Sequence, residues 1–198
     1  MDDVLAVVEA HLVSSLGTVS SRASVTFLGM EPIEVLRFGP SPEQATCYLT
    51  LGMSRHPLPD PTSPVLEPVT GPRAELVLSL RGVHDSVLRP VAVLAAAPSV
   101  EGIRPSAGSS YDLGQPLCDR ATVTAVLLGE PDGLVPDLPL PDADDGSPRG
   151  PVRFFPLLPM TAVEAEWKRA HDAAALEERW LTSGADLRDP YRLGVTLS

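Results

Sequence analysis

Lysine occurs once in the 198 residues, at Lys168, isoleucine twice and asparagine not at all. Arginine therefore carries nearly all the positive charge, a composition associated with GC-rich genomes, bacterial ones among them. Cysteine is also scarce. Cys47 and Cys118 lie far apart, with no CxxC pair and no histidine spacing beside either, which argues against a disulfide framework and a zinc site. Both read as small buried hydrophobes. No apolar run is longer than Val91 to Ala97, well short of the ~20 residues a membrane span requires. Met1-Asp2-Asp3 puts acids where a secretory signal carries bases, so the expected location is cytoplasmic, with no membrane partner. Bases are few as well: 15 against 26 acids leave a net charge of −11. That balance disfavours nucleic acid as a direct ligand, because binding phosphates needs a basic surface. It suits solubility, and an electropositive protein partner.

What is present is a 43% apolar chain punctuated by 22 prolines and 15 glycines, long enough for one self-sufficient core. Val4, Leu5, Val8 and Leu12 recur at helical spacing, so residues 2–15 are expected to form a helix capped by Asp2 or Asp3. A polar break at 14–21 precedes three strand-like runs, Val25–Met30, Ile33–Phe38 and Ala45–Leu51. Gly39-Pro40-Ser41-Pro42 makes a hairpin-scale loop between the last two. Residues 56–72 are proline-dense and irregular. Arg73–Leu80 reads as a strand ended by Gly82, and a helix follows over 85–97, with Pro90 tolerable near its start and Pro98 stopping it. Residues 121–128 form a strand with Val123, Ala125 and Leu127 on one face. The run 152–158 is interrupted by Pro156, which predicts an edge position or a bend. Thr161 to Glu164 is a capping box opening a helix over 162–182, whose stripe of Val163, Trp167, Ala170 and Ala174 should face the sheet. The expected fold is α/β (α+β mixed): a single domain over 1–198, with one mixed sheet, helices packed on it and a tail at 183–198.

Catalytic signatures are missing. Gly52-Met53-Ser54-Arg55-His56 approaches a nucleophile elbow, but its second glycine is replaced by His56 and no helix follows. His11, His56, His84 and His171 are scattered, and no metal ligand set or phosphate cradle is visible. Asp142-Ala143-Asp144-Asp145-Gly146 imitates a calcium loop with its glycine one place early and Arg153 where a glutamate belongs. The expectation is no catalytic residue, no metal and no cofactor. One segment does stand out. Glu130, Asp132, Asp137, Asp142, Asp144 and Asp145 share a proline-rich stretch without a base. It is either a solubilising loop or a docking surface for a basic protein.

The order of several pieces is similar to the Suppressor of fused domain family, in its short bacterial form. Tyr48-Leu49-Thr50-Leu51-Gly52-Met53-Ser54 resembles that family's strand and Thr-x-Gly-Met-Ser turn, and Arg73-Ala74-Glu75-Leu76-Val77-Leu78 its arginine/glutamate–leucine strand. The helix segment Val91–Ala97, then Gly108 before the next strand, follow in order. Val152 to Met160, running through Pro159 into Thr161-x-x-Glu164, resembles the family's strand-to-helix junction. The likeness spans residues 20–176. It implies a binding protein without catalytic activity, with Gly52, Met53, Ser54, Arg73, Glu75, Gly108, Pro159, Thr161 and Glu164 as architectural residues.

Animal relatives hold a transcription-factor peptide between two domains. Only the counterpart of the first is matched here, and the groove positions fall nearest Ala97 and Ser109, which match neither expected residue, so that peptide site is not carried over. Bacterial members are commonly interpreted as immunity proteins of polymorphic toxin systems. The expected partner is thus a protein, of which a basic toxin domain is one candidate, met by Asp137, Asp142, Asp144 and Asp145. The alternative is a small-molecule-binding regulator or an enzyme with a pocket around Ser54, Arg55 and His56.

Overall fold

A computed structural model describes residues 4–27, 29–41, 45–58, 71–102, 104–131 and 133–197. The proposed caps Asp2 and Asp3, most of the proline-dense stretch and Asp132 lie outside them. Helix α1 spans Val4–Leu16, followed by strands β1 (Val19–Val25), β2 (Ile33–Phe38), β3 (Ala45–Leu51) and β4 (Arg73–Arg81). Next come α2 (Leu88–Glu101), β5 (Ser110–Asp112), β6 (Val123–Leu128), β7 (Val152–Thr161), α3 (Ala162–Ala170) and α4 (Ala173–Ser183). The seven strands form one sheet in the order β1-β2-β3-β4-β7-β6-β5. Every pair is antiparallel except β4–β7, in which Arg73 lies opposite Val152 and Leu78 opposite Leu157. The mixed sheet and its helices agree with the expected class.

Strand alternation divides the core in two. Even-numbered β4 residues Ala74, Leu76, Leu78 and Leu80 join Phe155 and Leu157 under α2, where Val91, Ala92, Ala95 and Ala96 complete the layer. On the other face Val8 and Leu12 of α1 pack on Leu36, Phe38, Leu49, Leu51, Val77 and Phe154. Farther along that face, Ala125, Leu127 and Met160 pack beneath Ala165, Leu176 and Trp180 of α3 and α4. The central strands are covered on both sides, which is why they read as continuous apolar runs.

Several sequence expectations need correction. The first strand is 19–25, not 25–30: its Ser-Ser-Arg-Ala-Ser composition carries little strand propensity, and pairing to β2 decides it. Val123 does not share a face with Ala125 and Leu127, because a register irregularity between Val123 and Ala125 resets the alternation and turns Val123 toward α2. Helix α2 continues through Pro98 to Glu101, and Gly102 closes it in the left-handed region by donating to the Pro98 carbonyl.

Strand β7 is central rather than marginal, despite Pro156. The Pro156 carbonyl accepts from Gly129 N–H, so its backbone faces the β6 side just past the last β6 pair, Leu128 with Leu157. Two residues after the last β4 pair, the Pro159 carbonyl accepts from Arg192. Each proline sits where the ladder on its own side has already ended.

The terminal helix is two helices. The backbone breaks at His171 and Asp172, and the Asp172 carboxylate caps α4 by accepting from Ala175 N–H at 2.7 Å. Helix α3 turns Glu164 and Ala165 inward instead of the expected stripe. Val163 is 66% exposed, and Trp167 is half-buried and stacked on His171 at 3.9 Å. Trp180, by contrast, is 3% exposed beneath the sheet. Trp180→Ala should therefore destabilise the protein by about 3–5 kcal/mol in urea unfolding, and Trp167→Ala by about 1–2 kcal/mol. Equal losses would show that the two tryptophans share the core.

Candidate protein-binding surface

The loop between β6 and β7 carries the acids, and it is tied down by what lies between them. Val135, Leu140 and Ala143 are buried, the first two against the α1 side of the sheet. Leu138 forms a two-way backbone bridge with Val152, both bonds 2.9 Å. The Pro136 carbonyl accepts from His11 Nε2 of α1 at 2.8 Å, and the His11 ring stacks on Phe154. Asp137, Asp142, Asp144 and Asp145 are all exposed on this pinned loop. The charges are not wholly uncompensated: Arg153, from β7, reaches Asp137 at 3.4 Å. Asp145 accepts from both the N–H and the hydroxyl of Ser147, and these bonds hold its carboxyl below the usual carboxylate range. The loop presents acids on a fixed frame.

The family-motif residues lie elsewhere, in two buried polar clusters. In the first, Gly52 leaves β3 at φ +137°, where a β-carbon would come within 3.1 Å of the Pro32 carbonyl. The chain then turns through a short 3-10 segment, Met53–Arg55. Glu75, fully buried on β4, closes this turn. Its Oε1 accepts from Gly52 N–H, Ser54 N–H and the Ser54 hydroxyl at 2.6–2.9 Å, and its Oε2 accepts from Thr50 at 2.5 Å. Arg73, two residues earlier, donates from Nη1 to the carbonyls of Ser54 and Arg55. Thus Glu75 satisfies the turn's donors and Arg73 its acceptors; the two do not pair with each other. Burial pushes the Glu75 carboxyl up, against its four donors.

In the second cluster the expected capping box is present. Thr161 Oγ1 accepts from Glu164 N–H, and Glu164 Oε2 accepts from Thr161 N–H. The carboxylate does more than cap. It is fully buried and also accepts from Arg192 Nη1 and Nη2, Trp180 Nε1 and Val195 N–H. Burial pushes this carboxyl up, but the Arg192 pair and the backbone donors outweigh it and hold it below the ordinary value. Arg192 and Trp180 escaped the sequence reading, since their partner lies 28 and 16 positions away and no local spacing marks them. Gly108 stands two residues before β5 at φ +81°.

The elements of an alternative pocket do not assemble. Ser54 is fully buried with its hydroxyl committed to Glu75, while His56 is exposed and faces Glu31 at 3.3 Å. A nearby cleft of about 230 Å³ is lined by Leu5, Glu9, Arg22, Glu34 and Arg55, and Arg22 is clamped between Glu9 and Glu34. No group of three metal-ligating side chains occurs among the described residues.

The two buried glutamates should titrate with opposite signs. Glu164 has a lowered folded value, so its stabilisation is present above its unfolded pKa of ~4.3 and lost as pH falls through the folded value. Glu75 has a raised one, so its contribution is full below ~4.3 and declines as pH rises through the folded value. Glu164→Gln should cost about 3–5 kcal/mol near pH 7, because it strands the buried Arg192, and the deficit should shrink below pH 4. Glu75→Gln keeps an oxygen for three of the four donors and should cost less, with its deficit shrinking as pH rises. Urea midpoints between pH 3 and 8 check both; parallel pH curves for the two variants would contradict the assignment.

A family model described as Suppressor of fused protein (SUFU) matches residues 29–193. No curated protein matches the chain. Among solved structures, a SUFU homologue from Neisseria gonorrhoeae is 19% identical, with 96% of each chain covered and a TM-score of 0.70. A chain of the Sufu–Fu complex is 13% identical over 96% of this chain and 91% of that one, at TM-score 0.66. Drosophila Suppressor of Fused is 12% identical over 94% of this chain but 50% of its own, at TM-score 0.64. At these identities the structures establish the fold, and the family model covers both polar clusters: the chain belongs to the Suppressor of fused protein family.

Proposed function

We propose that this protein is a non-catalytic, cytoplasmic protein-binding domain whose partner is a basic protein, in the manner of an immunity protein that neutralises a cognate toxin. The observation that carries the reading is the acidic loop: four exposed aspartates on a segment anchored by Val135, Leu138, Leu140 and Ala143. A rigid display keeps its field oriented and loses little entropy when a partner docks. The net charge of −11 extends that field over the surface. The Sufu–Fu complex, which shares the fold, supports protein recognition as the use of this architecture. No helix among the described residues is long and apolar enough to cross a membrane. The alternative, a pocket chemistry at Ser54, Arg55 and His56, has no observation in its favour, since Ser54 is sealed.

Such charges act mainly on association rate and are screened within about 8–10 Å. The quadruple variant Asp137→Ser, Asp142→Ser, Asp144→Ser and Asp145→Ser should fold with little loss, apart from the Ser147 and Arg153 contacts. With a partner captured from the native cell, its association rate should fall several-fold at low salt and lose most of its salt dependence. A stopped-flow rate equal to wild type at low ionic strength would return the loop to a solubilising role.

A further inference from the structure

Arg73 is a buried cation without an anion. It opens β4 with 4% of its surface exposed, and no carboxylate pairs with it among the described residues. Nη1 is occupied by the carbonyls of Ser54 at 2.8 Å and Arg55 at 2.6 Å. Nε is buried with no acceptor, and Nη2 makes no hydrogen bond among the described residues. These two nitrogens form one edge of the guanidinium, a fork suited to gripping the paired oxygens of a carboxylate or phosphate. Burying a charge without its counter-ion costs several kcal/mol, and two carbonyl dipoles offset only part of that.

A second arginine approaches the same place. The entry to β7 runs beside the entry to β4, with Arg73 N–H donating to the Pro151 carbonyl at 3.1 Å. Gly150 lies so close to Gly71 that a β-carbon would stand 2.7 Å from the Gly71 carbonyl, so the backbone just after Arg149 abuts the backbone just before Arg73. Burial lowers the Arg73 guanidinium's pKa, and the charge of Arg149 lowers it further, so the positive potentials overlap. Arg149 makes no hydrogen bond or ion pair among the described residues, is half-exposed, and has the Asp145 carboxylate as an electrostatic neighbour. Arg55, Gly71, Pro72 and Gly150, which belong to the adjoining segments, are also half-exposed.

We propose that Arg73 and Arg149 form a binding site for a small oxyanion, phosphate or carboxylate, seated on the free Nε–Nη2 edge of Arg73. The anion completes the turn that Glu75 and Arg73 hold, so its binding stabilises the fold by linkage. Thermal unfolding of the full chain in inorganic phosphate, in acetate, and in sodium chloride of matched ionic strength tests this. Phosphate or acetate should raise Tm saturably above the chloride control. A rise with both assigns the site to oxyanions generally, and a rise with phosphate alone assigns it to phosphate. Arg149→Gln, which removes no hydrogen bond or ion pair among the described residues and only an exposed electrostatic attraction to Asp145, should keep nearly the wild-type Tm in chloride and bind the anion about tenfold more weakly. Anion curves that coincide with chloride, or an Arg149→Gln protein that responds as wild type, would overturn the proposal.

Discussion

Strand β7 begins before β6 can reach it, and much of the molecule follows from that mismatch. Its first residues pair with β4 in the sheet's one parallel ladder, Arg73 opposite Val152, while the last β6 partner is Leu128 opposite Leu157. Residues 152–156 would otherwise present an unpaired edge inside a seven-stranded sheet, which buried backbone does not tolerate. The β6–β7 connection fills the gap through the Leu138–Val152 bridge and Gly129 N–H to the Pro156 carbonyl. The acidic loop is thus an irregular extension of the sheet. Its apolar residues are held by the need to cover β7, and its aspartates occupy the outward positions that remain.

The two buried glutamates show one residue type serving two loads. Glu164 meets a cation, and its ion pair with Arg192 gathers the helix start, the α4 tryptophan and the C-terminal segment around one carboxylate. Glu75 has only dipoles, and uses them to hold a turn that leaves β3 through a backbone conformation only glycine adopts comfortably. A charge-paired carboxylate favours ionisation and a dipole-caged, desolvated one resists it, so the two titrate in opposite directions from the ordinary value though both serve architecture. Buried polar groups of this kind are consumed by the fold, and Ser54 is consumed with them.

Local chemistry was legible in the sequence wherever cause and effect lie within a few residues. The Thr161–Glu164 box, the Gly52 turn and the strands 33–38, 45–51 and 73–80 are of this kind. Phase was not legible. A capping aspartate at 172 splits the last helix, the buried tryptophan is 180 rather than 167, and one irregularity in β6 turns Val123 to the opposite face. Pro156 looked like an edge marker because a sequence cannot show where the neighbouring strand stops. Arg192 lay hidden in the tail because its role exists only once residue 164 is folded beside it.

Surface and interior divide the function accordingly. The residues that carry the family resemblance, Gly52, Ser54, Arg73, Glu75, Thr161 and Glu164, bind one another or the backbone. Glu75 satisfies the donors of its turn, but among the described residues no carboxylate pairs with Arg73, whose buried Nε has no acceptor. The acidic loop begins its ties to the sheet at the same corner, where Val152 follows Arg149, Gly150 and Pro151. A buried cation and exposed carboxylates therefore lie on segments that meet at the start of β7, and charges of opposite sign so placed give the local field a direction.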